Sequence, residues 1–225
     1  MKRPAPKASR RAQNPASDAG PRQKKKDQTR ARILRVALDL FSSRGFYRTT
    51  TRQISRKAGI AEGTLFNYFA TKEDLALYFF EQELEKLIQW FEREKPLRKA
   101  PLVEKLFAIV HRHLEQISPF EDFVGAVYLR ALQPASKLHP ISLDSQSLNL
   151  RYLRFIREVL AEAENEGEIP PVGDLGAWAF ALFHVGIVSF WLHDASPGKE
   201  RTLALLDRSL KVARTILRRG GDWNW

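Results

Sequence analysis

Five histidines, at positions 111, 113, 139, 184 and 193, are the side chains best suited to acid–base or metal chemistry near neutral pH. Their spacing argues against both. His111 and His113 lie two residues apart, which on a helix turns them to different faces, and neither has a histidine four residues away to complete a zinc pair. Glu115 stands four residues from His111, a pairing that arises often by chance. The chain has no cysteine, which removes thiolate ligands, cysteine nucleophiles and disulfides together and is compatible with a reducing cytoplasm. Glycine-rich phosphate loops, nucleophile elbows and meaningfully spaced carboxylate pairs are missing as well. On this basis no enzyme activity, cofactor or metal is expected.

A second set of polar side chains is more tightly organised. In RTTTRQISRKAGIAEGTLFNYFATKEDL, residues 48–75, Thr50 can cap a helix over about 51–57, and Gly59 stands where the chain must take a positive φ. A second helix over about 61–69 follows. Counting from Thr51 puts Gly59 ninth, and Ile54, Ala58, Ile60, Leu65 and Tyr68 then fall where two crossing helices must touch. Glu62, Gly63, Thr64, Asn67 and part of Phe66 are left on the opposite face. Their chemistry is that of hydrogen bonding to base edges in a major groove, with Thr50, Thr51, Tyr68 and Lys72 placed nearer the phosphate backbone. Thr64 and Asn67 are expected to influence base choice, whereas Tyr68 and Lys72 set affinity.

The whole stretch, from about 27 to 75, resembles the opening domain of the TetR family of bacterial regulators. The matching residues are Gly45-Phe46, Thr49-Thr50, Ala58-Gly59, Gly63-Thr64-Leu65, Tyr68-Phe69 and Lys72-Glu73. Several linked spacings make this more specific than a lone short motif. The chain departs from the family pattern at Ala61, where a serine usually caps the recognition helix, at Phe66, where a tyrosine is usual, and at Ser55, where alanine is preferred. The resemblance implies that the residues matching at the end of the recognition helix touch phosphates and that dimers form through the last two helices.

The elements that must position this face follow from hydrophobic spacing. Asp27 can open a brace helix to Ser43, with Ile33, Leu34, Ala37, Leu38 and Phe41 as its apolar stripe. Arg30 and Arg32 near its start are either solvated or within reach of a phosphate. A rod of about five turns runs from Lys72 until Pro96 stops it. Further helices are expected from Pro101 to Pro119, from Glu121 to Leu132, from Leu143 to Glu166, over 175–192 and from Lys199 to Arg219, with a loop at 134–140. The class is therefore all-α: a three-helix helix-turn-helix domain over 27–75, and a helical bundle for ligand binding and dimerisation over 76–219, with a tail at 220–225.

Charge follows this division. Of the formal net charge of +11, residues 1–26 carry +8 and residues 27–75 carry +4, while the remainder is slightly acidic. Residues 1–26, rich in Pro, Ala and basic side chains with no apolar run, are expected to be a disordered arm, either a solubilising tail or one that tracks phosphates or the minor groove, adding affinity rather than sequence specificity. The arm lacks the hydrophobic middle of a signal peptide and an apolar face for a membrane.

In the body, Phe107, His111, Phe123, Val127, Tyr128, Tyr152, Phe155, Phe183, His184 and Ile187 are candidates to line an apolar pocket with a few polar points, though residues of these types more often belong to a plain core. LGAWAFALFHVGIVSFWL, residues 175–192, has about the minimum length of a membrane span, but His184 interrupts it and Asp174 and Asp194 bracket it. Apolar all round, it is better read as a helix buried between its own core and a partner subunit. Trp178, Leu182 and Gly186, with Leu203, Leu206, Leu210, Ala213 and Leu217 at 3-4-3-4 spacing, are the expected dimer interface; Leu205, Val212 and Ile216 form a second stripe beside that seam.

Together these readings point to a cytoplasmic, homodimeric regulator, most simply a repressor, that binds a palindromic double-stranded DNA operator and releases it when a small apolar or amphipathic effector reshapes the body. A DNA-bound helical adaptor whose body binds a protein is the alternative; an enzyme with an accessory DNA head ranks below both. No membrane partner is expected.

Overall fold

The computed structural model describes residues 20–131, 133–140 and 142–220. Helix α1 runs from Pro21 to Arg44. Proline suits a helix start because its φ is preset and its missing N–H would be unpaired there anyway. The brace helix expected from Asp27 therefore begins earlier, and Arg22, Lys24, Lys25 and Lys26, assigned to the arm, are exposed residues of its first turns. Residues 1–19 of that arm lie outside the described residues.

At the end of α1, Gly45 takes a φ of +84°, and the buried Thr49 hydroxyl is within hydrogen-bonding distance of the Gly45 and Leu40 carbonyls, which fastens the turn. Helix α2, Thr51–Lys57, opens on a capping box in which Thr50 and Gln53 each satisfy the other's backbone N–H. Gly59, at φ +66°, then swings the chain into α3, Glu62–Phe66. This helix is shorter than the 61–69 expected. The N–H groups of Tyr68 and Phe69 both donate to the Leu65 carbonyl, so the chain closes in a tight turn after Phe66.

Thr71 and Asp74 form a second capping box at the head of α4, Lys72–Arg93. After it come α5, Lys95–Arg98, a single unexpected turn started by Pro96, then α6, Leu102–Ile117, and α7, Glu121–Ala131. The chain is completed by α8, Leu143–Asn165, α9, Gly173–His193, and α10, Glu200–Gly220. Among the described residues there is no strand, as the all-α expectation requires.

Two helices whose own first residues cannot cap are capped from elsewhere. Glu168 accepts the Leu102 N–H at the start of α6, and Glu164 accepts the N–H groups of Val172 and Gly173 at the start of α9. Each carboxylate meets both an orphan donor and the positive end of a helix dipole. Glu164 also takes a two-pronged hydrogen bond from Arg157, and these partners hold its carboxyl below the usual range.

Head and body share one continuous core. Its junction is aromatic: Phe123 of α7 stacks on Phe41 of α1 at 5.1 Å and meets Phe46 at 5.8 Å and Phe79 of α4 at 5.3 Å. Helix α9 is long and apolar enough to cross a membrane, but one side of it, with Ala177, Phe180, His184, Ile187 and Trp191, is buried within the bundle.

The corner between α9 and α10 turns on Asp194, which accepts hydrogen bonds from the N–H and hydroxyl of both Ser196 and Thr202. Burial alone would raise its pKa, but these four donors hold it well below the ordinary carboxylate value. A carboxyl depressed in the folded state contributes fully above its unfolded pKa, about 3.9, and loses that contribution as pH falls from there through the lower folded value. Thr202→Val should therefore destabilise by about 1.5–3 kcal/mol at neutral pH, and its deficit should shrink below about pH 4. Denaturant titrations across that range check it; a deficit that does not change with pH would contradict the assignment.

Candidate nucleic-acid interface and internal cavity

Leu65 is the wholly buried side of α3, and Gly63, Thr64, Phe66 and Asn67 are exposed around the rest of it. That is the division expected of a helix docked by one face and offering the other to a groove. Ala61 supplies no cap. Instead Thr51 donates a 3.0 Å hydrogen bond to Glu62, tying the first turns of α2 and α3 together and leaving an acidic side chain beside the helix's positive end. Tyr68 is half-buried against the core. Arg48 and Arg52, exposed on either side of Thr50 and Thr51, are further cations near this face that spacing did not single out.

Lys72 departs from expectation. Its ammonium donates to the carbonyl oxygens of Phe46 at 2.8 Å and Tyr47 at 3.4 Å, and sits 4.8 Å from the centre of the Phe46 ring. Burial lowers its pKa. The charge is turned onto the turn after α1 because those carbonyls have no helical partner. Arg30 likewise lies over the rings of Tyr78 and Phe69, while Arg32 is exposed.

Between the helices of the body is a cavity of about 360 Å³ that opens to the surface at Trp178, Leu182 and Val185 of α9. Leu77, Phe80 and Leu84 of α4, Val124, Val127 and Tyr128 of α7, Leu138 and Pro140 of the 133–140 loop, Tyr152 of α8 and His184 of α9 are among its walls. Of the ten residues proposed from sequence, Val127, Tyr128, Tyr152 and His184 line it. The other six do not. Phe123 points to the head; Phe107 and His111 stack on each other; Phe155 packs on Phe91; Phe183 lies against Phe180; and Ile187 is core. The cavity-facing pair on α6 is His113 and Ile117, four residues apart and so on one side of the helix. The 3-4 spacing was the available signal for His113.

His113 brings a polar string with it. His184 Nδ1 pairs with the Tyr152 hydroxyl at 2.5 Å, and His184 Nε2 with His113 Nδ1 at 2.9 Å. Burial pushes the His113 pKa down to about 4. Burial and the neighbouring His113 push His184 well below its ordinary value, while burial raises Tyr152. At neutral pH all three are uncharged.

The cavity is tied to the head by carboxylates. Glu73, in the first turn of α4, accepts hydrogen bonds from Arg130 Nε at 2.6 Å, the Lys137 N–H at 2.8 Å and the Ser136 hydroxyl at 3.2 Å. Burial opposes ionisation, but these donors together hold its pKa below the usual range. Asp74 takes the Lys137 ammonium at 2.8 Å.

The two stripes on α10 differ in burial. Leu206 and Leu210, expected at the dimer interface, are buried within the subunit, and Leu203 and Leu217 are half-buried, so the 3-4-3-4 seam, apart from exposed Ala213, packs inward. The exposed large apolar residues are Leu205, Val212 and Ile216 on α10, with Leu175, Trp178, Leu182, Val185 and Phe190 on α9. Trp178 and Leu182, expected at the interface, are exposed and line the mouth of the cavity, and Gly186 is exposed beside them.

Residues 33–79 match the family described as bacterial regulatory proteins, tetR family, and residues 105–221 match the tetracyclin repressor-like C-terminal domain. The chain is 26% identical over 140 residues to the fatty acid metabolism regulator protein of Bacillus subtilis, covering 61% of this chain and 69% of that one. It is 25% identical over 195 residues to the HTH-type transcriptional regulator SrpR of Pseudomonas putida, covering 85% and 86%. Among solved structures, FadR of Thermus thermophilus, a repressor in complex with lauroyl-CoA, superposes with a TM-score of 0.62 at 25% identity, covering 79% of this chain and 92% of that one.

The buried histidines set an acid limit. Because their folded pKa values lie below the ordinary 6.5 or so, the unfolded chain binds protons first. Stability is then full above about pH 6.5 and falls toward pH 4, by up to about 1.4 kcal/mol per pH unit for each proton. His113→Phe should melt with a shallower acid dependence between about pH 6.5 and 4.5; a slope equal to that of the parent would contradict the buried, neutral pair.

Proposed function

The chain belongs to the TetR family of bacterial regulatory proteins, and from that premise we propose that it is a cytoplasmic, homodimeric repressor that releases a palindromic operator when a small molecule fills the body cavity. The observation that carries this reading is the position of α4. It begins directly after the turn that closes the recognition helix, and one side of it, Leu77, Phe80 and Leu84, is cavity wall. A ligand that presses on that wall works on the element holding the DNA-reading face.

The exposed stripes on α9 and α10 supply an apolar surface of the kind a two-fold dimer buries as a four-helix bundle. Two heads then meet two half-sites about 34 Å apart, or a multiple of that. In this arrangement Thr64 and Asn67 face base edges, and Tyr68 and the exposed Arg48 and Arg52 serve the backbone. Lys72 holds the α1 turn in place. The basic segment before α1 adds affinity that falls with salt.

An apolar effector suits the walls, and the lauroyl-CoA bound by the Thermus relative shows a chain of the same fold holding an amphipathic molecule. An adaptor for a protein partner would use the exposed stripe on α9, but it gives no account of the internal cavity.

Sequencing the DNA retained by the purified protein identifies the operator, and a screen of small molecules for release then identifies effectors. Val127→Phe, which takes ligand space from α7, should raise the effector concentration needed for release about tenfold or more, measured against the variant's own operator affinity, the equivalent of about 1.4 kcal/mol. A variant that responds like the parent would place the effector elsewhere.

A further inference from the structure

Resting on the reading of this cavity as the effector site, we infer that its ligand is an uncharged, mostly apolar molecule with one hydrogen-bond acceptor, such as a ketone or ester oxygen, and not an anion. Three observations carry this. The first is composition: among the described lining residues there is no Asp, Glu, Lys or Arg. An ionised carboxylate or phosphate inside would lose its water without gaining a counter-ion.

The second is proton counting along the string from Tyr152 through His184 to His113. Each neutral imidazole carries one N–H and one bare nitrogen. If Tyr152 donates to His184 Nδ1, then His184 Nε2–H donates to His113 Nδ1, and the proton left over is on His113 Nε2. If the string runs the other way, His113 donates to His184, which donates to the Tyr152 oxygen, and the proton left over is on Tyr152. In both directions one donor remains and calls for an acceptor.

The third is the surroundings. Titratable side chains facing the cavity are His113 from α6, Tyr128 from α7, Tyr152 from α8 and His184 from α9; α4 presents only apolar ones. The string stays neutral because burial opposes charge on all three of its members. In the empty cavity it can therefore donate to a ligand but holds no charge to pair with an anion.

Three probes of equal chain length separate the possibilities: 2-decanone, decanoate and decanoyl-coenzyme A, titrated into the full-length protein with calorimetry, and in parallel into the operator complex. 2-Decanone should bind with an affinity that does not vary between about pH 6 and 8. Decanoate must bring a proton into the cavity with it, so its affinity should fall about tenfold for each pH unit in that range. Tyr152→Phe and His113→Phe together bracket the free donor, and one of them should weaken 2-decanone about tenfold. Should either variant melt early, Val127→Phe provides the second test and should lose 2-decanone binding.

Decanoate or decanoyl-coenzyme A binding more tightly than 2-decanone, with no loss as pH rises, would overturn the inference, as would undiminished 2-decanone binding by Val127→Phe. If decanoyl-coenzyme A is the tighter ligand and releases the operator, the regulator reading stands and the uncharged ligand falls. If 2-decanone binds as described but leaves the operator complex intact, the ligand class stands and the effector reading falls.

Discussion

Glu73 is where the cavity and the DNA-reading head are joined. Its carboxylate sits in the first turn of α4, just after the turn that ends the recognition helix, and it is held by Arg130 of α7 and by Ser136 and Lys137 of the loop that follows. Asp74 beside it caps α4 through Thr71 and holds the Lys137 ammonium. Leu138 and Pro140 of the same loop are cavity wall. The loop that walls the cavity is therefore bonded directly to the start of α4, a few residues from the turn that ends the recognition helix.

Helix α7 makes the same connection through apolar contacts. Phe123 faces the head and meets Phe41, Phe46 and Phe79, whereas Val124, Val127 and Tyr128 face the cavity. Aromatic pairs of this kind contribute about 0.5–1.5 kcal/mol each beyond area burial. An exposed ion pair contributes about 0–1 kcal/mol. The Phe123 cluster accordingly fixes the distance between head and body, and the partly buried Glu73 network fixes the register of the loop against α4. A ligand changes operator affinity only by the difference in its affinity for the two head arrangements.

The head was largely legible from sequence because its determinants are local. Gly59 must take a positive φ, Thr50 can cap only the helix that follows it, and the spacing of Ile54, Ala58 and Leu65 defines a two-helix crossing by itself. The body was legible as helices but less so as faces. Which of two apolar stripes on α10 packs inward depends on what α6 and α9 present, and Leu206 and Leu210 proved to be core. The same ambiguity put His111 in the pocket in place of His113, and placed Phe123 among ligand-lining residues when it joins head to body. Lys72 looked like a phosphate contact because sequence could not show the two carbonyls waiting for it. The start of α1 at Pro21 was masked by a polar, basic composition that reads as arm.

The central claim is that occupancy of the cavity sets the spacing of the two heads. The chain contains no cysteine, so Arg35→Cys, at an exposed position of α1, gives each subunit of the proposed dimer one spin label on its head. Pulsed electron–electron resonance then reports the distance between heads directly, with and without saturating 2-decanone. The account predicts a narrow distance for the operator-bound dimer, and a shift away from it by several ångströms when the cavity is filled. A distance that stays the same while the bound molecule still drives the protein off its operator would contradict it.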